Sequence, residues 1–243
     1  LGDNHSYYTS AGGSNISGSS LSCSALAVTG VPTMGADVGY VRVTAFSGTA
    51  AQAQAFTDSI QSAIKTADSG LVRGWIVDLR GNSGGNMWPM IAGIGPVLGA
   101  GTAGYFVDPD GQVMTWGYNG TASQLDGAVM QAASAPHVLS LSSPRVAVLI
   151  DERVGSAGEA VAVAFKQRPN TRFFGTATCG VSTANVPFRL SDGALLQLTV
   201  SVMADRTKQM YGGPLPPDEG ITDTAAVVPR ALAWLRTAQV ARD

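Results

Sequence analysis

Two segments of this chain repeat one pattern, and no other feature narrows its fold as much. Each is a run of apolar and β-branched residues that passes through a glycine-rich turn into an apolar helix. In the first, Leu71 to Leu79 ends in Arg80-Gly-Asn-Ser-Gly-Gly-Asn86, and a helix opens near Met87. In the second, Arg145 to Ile150 leads through Gly155-Ser156 into a small-residue helix that reaches Gln167. A run that is apolar at nearly every position suits a strand covered on both faces, as in parallel sheets flanked by helices. The expected class is α/β.

The remaining elements are read around these two units. Val38 to Thr44 reads as a strand, and Ala50 to Ala67 has helical spacing with Phe56, Ile60 and Ile64 on one face. Short strands near Tyr105 to Val107 and Gln112 to Trp116 flank Asp108-Pro-Asp-Gly111, whose residues make a hairpin turn. Strands follow at Arg172 to Gly175, Val186 to Leu190 and Leu195 to Met203, and an amphipathic helix closes the chain from Thr224 to Ala238. Residues 9–37 are rich in Ser, Gly and Thr and read as a loop or hairpin region outside the main core. The expected division is an N-terminal segment, residues 1–37, and a core, residues 38–243.

Charge and composition exclude several classes of function. Hydrophobic residues make up 45% of the 243 and charged residues 13%, so the chain can bury a large interior. The net charge of -2 comes from 15 basic and 17 acidic residues without blocks, which leaves no footprint for nucleic acid. The apolar stretch from Met90 to Ala103 is interrupted by four glycines and a proline, short of the roughly 20 residues a membrane span needs. The chain opens at Leu1-Gly-Asp-Asn-His5 without an initiator Met or signal peptide, so a piece of a longer protein is expected. Cys23 and Cys179 allow one disulfide, but neither they nor the histidines have metal-ligand spacing. No metal and no organic cofactor is expected.

The glycine turns are where chemistry is expected. A serine nucleophile needs a sharp turn that projects its hydroxyl, a base, and backbone N–H donors for the oxyanion. Ser156 lies between Gly155 and Ala157-Gly158 at a helix N-terminus, and Ala157 could supply such an N–H. Equally, Ser156 reads as a helix cap. The Gly84-Gly85 turn lacks the Lys-Ser or Lys-Thr of a phosphate loop and the third glycine of a dinucleotide fingerprint, which favours an oxyanion role over a phosphate site. The base must come from His5, in a polar turn before Tyr7 and Tyr8, or His137, in a polar connection after Ala135-Pro136 that suits a structural histidine.

Four ordered motifs join these signals: Leu1-Gly-Asp-Asn-His-Ser6, Val77-Asp-Leu-Arg-Gly-Asn-Ser-Gly-Gly-Asn-Met-Trp-Pro-Met90, Gly155-Ser-Ala-Gly-Glu159 and Leu190-Ser-Asp-Gly-Ala-Leu-Leu-Gln-Leu-Thr199. Together they resemble the carboxyl-terminal processing peptidases, or tail-specific proteases, over nearly the whole chain. Gly-Asn-Met-Trp-Pro-Met is similar to the nisin-resistance branch. The resemblance implies a crotonase-like spiral of strand-strand-helix units with a small additional sheet. It implies Ser156 as nucleophile, His5 as general base, and Gly84, Gly85 and Ala157 around the oxyanion. The substrate it implies is a peptide or unfolded protein tail, and the setting extracytoplasmic.

Departures from that pattern shape the expectation. Where many relatives carry a catalytic lysine, Thr178-Cys-Gly-Val-Ser182 places Val181, and Lys65, Lys166 and Lys208 stand in other contexts. Near Tyr211-Gly212, where a supporting glutamate is found in the tricorn-like variant, no acid stands, though Asp205, Asp218 and Glu219 are close in sequence. A lysine-free site with an unassigned third member is expected. Two rivals stand beside it: an inactive peptide-binding module on the same fold, and a crotonase-type acyl-CoA enzyme that shares the oxyanion logic.

Overall fold

The structure, a computed structural model, describes residues 3–17, 23 and 32–237. Its centre is a parallel sheet in the order β13 (Glu219–Gly220), β10 (Thr171–Gly175), β9 (Arg145–Ile150), β4 (Gly74–Asp78), β3 (Val38–Arg42). The strand read as doubly covered, β9, takes the central place between β10 and β4. The side chains of β4 and β9 alternate between two cores. Trp75, Val77, Val146, Val148 and Ile150 face one core with α1 (Ala50–Ala67), α2 (Met87–Leu98) and α3 (Ala157–Phe165). Ile76, Ala147 and Leu149 face the other, closed by Val227, Ala231 and Leu235 of α4 (Thr224–Thr237).

A second, antiparallel sheet covers the far side of α2 and α3. Its path is β2 (Asn15–Ser17), β1 (Tyr7–Thr9), β12 (Leu195–Asp205), β5 (Gly101–Val107), β6 (Val113–Tyr118), β7 (Ala122–Leu125), β8 (Ala128–Ala132), with β11 (Thr183–Arg189) also paired to β12. The layers therefore run α4, parallel sheet, α1 to α3, antiparallel sheet. All nine residues of α3 are buried, because a helix between two sheets has no solvent face to make polar. The N-terminal segment is thus partly integral: β1 adds to β12 with Tyr7 opposite Gln197. Residues 18–22 and 24–31 of the Ser/Gly-rich stretch lie outside the described residues.

Where the expected hairpin at Asp108 to Gly111 ends, the sheet continues into β7 and β8, which the sequence reading did not anticipate. Their turn is Asp126-Gly127, with φ of 46° and 81°, the paired positive values of a tight two-residue hairpin. At the start of α1, the hydroxyl of Thr49 accepts the Gln52 N–H while the Gln52 side chain accepts the Thr49 N–H at 2.8 Å.

Pro96 inside α2 has no N–H to offer the carbonyl of Ala92, one turn back, and Ala92 is fully buried. Gln61 of α1 repairs this, donating Nε2 to Ala92 O at 2.8 Å while its Oε1 accepts the His137 N–H at 2.9 Å. Gln61→Leu orphans both groups. The expected cost is about 1–3 kcal/mol, a fall in Tm of roughly 2–12 °C for a domain of this size, measured by calorimetry.

Candidate active site

Ser156 ends the connection after β9 and precedes the first turn of α3. Its φ of 51° and ψ of -117° lie in the half of backbone space where L-residues are strained, at a cost of order 1–3 kcal/mol. The strain is held from several directions. Gly155 N–H donates to Asn82 O at 3.0 Å, Cys179 N–H to Val154 O at 2.8 Å, and Ser156 N–H to Glu159 Oε2 at 3.1 Å.

Glu159 is fully buried and also accepts Thr178 Oγ1 at 2.5 Å, Gly180 N–H at 3.0 Å and Val181 N–H at 2.8 Å. Burial pushes its carboxyl up, and these four donors pull against that shift. Its side chain thereby ties the serine turn to the 178–181 strap. That strap carries Cys179, whose disulfide partner is Cys23, 156 residues away. Cys23 packs over the serine turn: a Cβ placed at Gly155 would sit 3.1 Å from both its Cβ and its Sγ.

The other glycine turn abuts the serine turn directly. A Cβ on Gly84, at φ 112°, would lie 2.8 Å from Gly155 O, 2.9 Å from Ser156 Cβ and 3.1 Å from Ala157 N. Only a residue without a side chain lets the two turns meet. Asn82, fully buried, fastens this arrangement through Nδ2 to Val43 O at 3.0 Å, while its Oδ1 accepts the Gly84 N–H at 3.0 Å. The Gly84 N–H is thus taken up within the turn by Asn82. Gly85 and Ala157, by contrast, both border the cleft beside Ser156.

That cleft has a volume of about 600 Å³. His5, Ser156 and Thr183 line it with Trp88, Phe106, Met114, Leu125 and Met203, and among the described residues that line it no other acidic or basic side chain stands. Ser156 and His5 therefore share a cavity wall, although no hydrogen bond joins their side chains. Trp88 borders the cleft, whereas Trp116 is buried in the core.

His5 is fixed at several atoms. Its N–H and that of Ser6 donate to Asp3 Oδ1 at 2.9 and 2.6 Å, its carbonyl accepts Asn185 Nδ2 at 2.7 Å, and its Nδ1 lies 2.8 Å from Thr183 Oγ1. Burial pushes the Asp3 carboxyl up, but the hydroxyls of Ser6 and Thr199 and the two N–H groups outweigh it and hold the acid well below its usual range. Burial lowers the His5 imidazole from its ordinary value, against an opposing pull from the Asp3 charge.

The remaining candidates are occupied elsewhere. His137 Nε2 pairs with Asp68 at 2.9 Å beyond the C-terminus of α1, a structural role. Val181 borders a smaller hollow with His5, Ser83, Ser156 and Cys23. Lys166 Nζ donates to Pro216 O and Lys208 lies over the Tyr105 ring. Asp205 accepts the Tyr211 hydroxyl, Asp218 the Phe173 N–H, and Glu219 the Arg230 side chain, so none of the three acids addresses His5. Thr183, Asn185 and Asp3 went unnoticed in the sequence, since none carries a local signal beyond a polar residue in a turn or strand.

Known proteins bear on this arrangement. The nisin-resistance protein of Lactococcus lactis subsp. lactis is 31% identical over 196 residues, which cover 79% of this chain and 58% of that protein. The carboxy-terminal processing protease CtpA of Bacillus subtilis is 30% identical over 165 residues, 68% of this chain and 30% of that protein. The chain thus spans just over half of the first relative and under a third of the second. Among solved structures, a lipoprotein from Streptococcus agalactiae matches with a TM-score of 0.69 at 26% identity, over 85% of this chain and 69% of that one. The photosystem II D1 C-terminal processing protease shares the fold at a TM-score of 0.53 and 22% identity, over 82% and 47% of the two chains. A model of peptidase family S41 matches residues 37–221, which take in both glycine turns, the parallel sheet and the β11–β12 pair. The chain belongs to peptidase family S41.

Proposed function

We propose that this protein is a serine endopeptidase in which Ser156 attacks a peptide carbonyl and His5 accepts its proton. The observation that carries the reading is the strained Ser156 backbone at the N-terminus of α3, facing a cleft that His5 also lines. Strain of this kind persists only where surrounding contacts over-determine it, and here hydrogen bonds from Glu159, Asn82 and the disulfide strap do so. The tetrahedral oxyanion is held by the N–H of Ala157, at the positive end of α3, and by Gly85 across the cleft. His5 then protonates the leaving amine, and water releases the acyl-enzyme in the second half of the cycle.

The substrate this cleft suits is an extended peptide or unfolded protein tail presenting an apolar side chain to Trp88, Phe106, Met114 and Met203. The disulfide supports an extracytoplasmic, oxidising setting. The successive β3–α1–β4 and β9–α3–β10 crossovers support the crotonase-like spiral as the finer description of the core.

Incubation with a fluorophosphonate probe tests the chemistry: one adduct is expected, mapped to Ser156 and missing from Ser156→Ala. Equal labelling of both proteins would refute the nucleophile, and retention on immobilised CoA without peptide cleavage would favour acyl-CoA chemistry. The pH profile tests the base. His5 works when neutral and burial lowers its pKa from the ordinary 6.5, so kcat/KM is expected to fall in acid with a midpoint below pH 6.5. An acid limb centred above 6.5 would count against His5 as the titrating group.

A further inference from the structure

A histidine base needs one ring nitrogen held as N–H so that the other keeps its lone pair for the incoming proton. In His5 the held atom is Nδ1, and its partner at 2.8 Å is the hydroxyl of Thr183. Among the described residues no carboxylate bonds to that atom. Asp3 spends its Oδ1 on the N–H groups of His5 and Ser6 and on the Thr199 hydroxyl at 2.7 Å.

Resting on the assignment of His5 as the base, we propose that Thr183 is its positioning residue, accepting Nδ1–H so that Nε2 is the basic nitrogen presented to Ser156. Strand β11 is built for this. Thr183 and Asn185 stand two residues apart on β11, either side of a break in its register with β12, and both reach His5. One grips the ring of His5 and the other its carbonyl, at 2.8 and 2.7 Å. Thr183 is itself held by its N–H to Val181 O at 2.8 Å and by pairing with Val202 of β12. The same short segment also carries Val181 and, through Gly180 and Val181, two of the donors to Glu159 beneath the nucleophile. The 178–185 stretch thus supplies, with a neutral hydroxyl, the orientation that other serine–histidine sites obtain from a carboxylate.

Thr183→Val and Thr183→Ser, assayed on a cleaved peptide beside His5→Ala, test the proposal. Losing a hydrogen bond to a group that becomes charged in the transition state should lower kcat by about 10- to 150-fold. KM should stay within about twofold and Thr183→Ser should recover most of the rate, because only the hydroxyl is required. In ¹⁵N NMR of the wild type, His5 should show a protonated Nδ1 and an unprotonated Nε2, and Thr183→Val should mix the two tautomers. Full kcat in Thr183→Val, or an inactive Thr183→Ser with the tautomer unchanged, overturns the proposal. Full activity in His5→Ala overturns the base assignment itself, whereas an inactive His5→Ala beside a fully active Thr183→Val overturns only the role of Thr183. Should Thr183→Val fail to fold, the wild-type tautomer decides: Nδ1–H supports the proposal and Nε2–H sinks it.

Discussion

Ser156→Ala is expected to lower kcat/KM by about 10⁴- to 10⁶-fold, with His5→Ala within roughly tenfold of it and the double variant no worse than either. The three should converge because the two side chains act in one proton transfer, and removing either leaves only binding and the oxyanion donors. Stability should move differently. Ser156 is held at φ 51°, a conformation that an alanine occupies with equal strain and a glycine without it. Ser156→Gly should therefore be as inactive as Ser156→Ala yet more stable by about 1 kcal/mol. Cleavage of a quenched peptide library together with calorimetry reads both effects. Retained cleavage in Ser156→Ala would remove the nucleophile from its role, and a Ser156→Gly no more stable than Ser156→Ala would deny that strain is stored there.

How much of this was legible in the sequence divides along the range of the forces involved. Local periodicity placed α1 with the same bounds the structure shows, and the β9 run Arg145–Ile150 likewise. Both have patterns that any environment would respect: a capped amphipathic helix and an apolar strand. β7 and β8 were missed because Ala122–Leu125 and Ala128–Ala132 are short and hold a single β-branched residue, Val129, and their pairing with β6 and each other supplies what propensity lacks. The Asp126-Gly127 pair was the readable signal for that hairpin. Within the site, Ser156 and the glycine turns announced themselves through local composition. The Thr183 contact spans 178 residues and the disulfide 156, and no local pattern encodes either pairing. The sequence also gives no sign that Asn82, two residues before the glycine pair, folds back to accept the Gly84 N–H.

Gly84→Ala tests the close approach of the two turns and should cost both stability and cleavage. The added carbon would press on Gly155 O at 2.8 Å, on Ser156 Cβ at 2.9 Å and on Ala157 N at 3.1 Å, all backbone or near-backbone atoms that no rotamer change can move aside. It would also force an L-residue to φ 112°. Backbone strain and overpacking each cost about 1–3 kcal/mol. The greater loss should be catalytic, because relieving the clash displaces the nucleophile and an oxyanion donor together, and a shift near 1 Å in such a site costs about 100-fold. Gly111→Ala provides the comparison. Gly111 has a φ of 80° but a Cβ there meets nothing within 4 Å, so that variant bears backbone strain alone. Both variants should lose stability, while only Gly84→Ala should lose cleavage and fluorophosphonate labelling. Equal activity in the two would mean that the turns do not need to touch, and that the glycine is kept for its backbone angle alone.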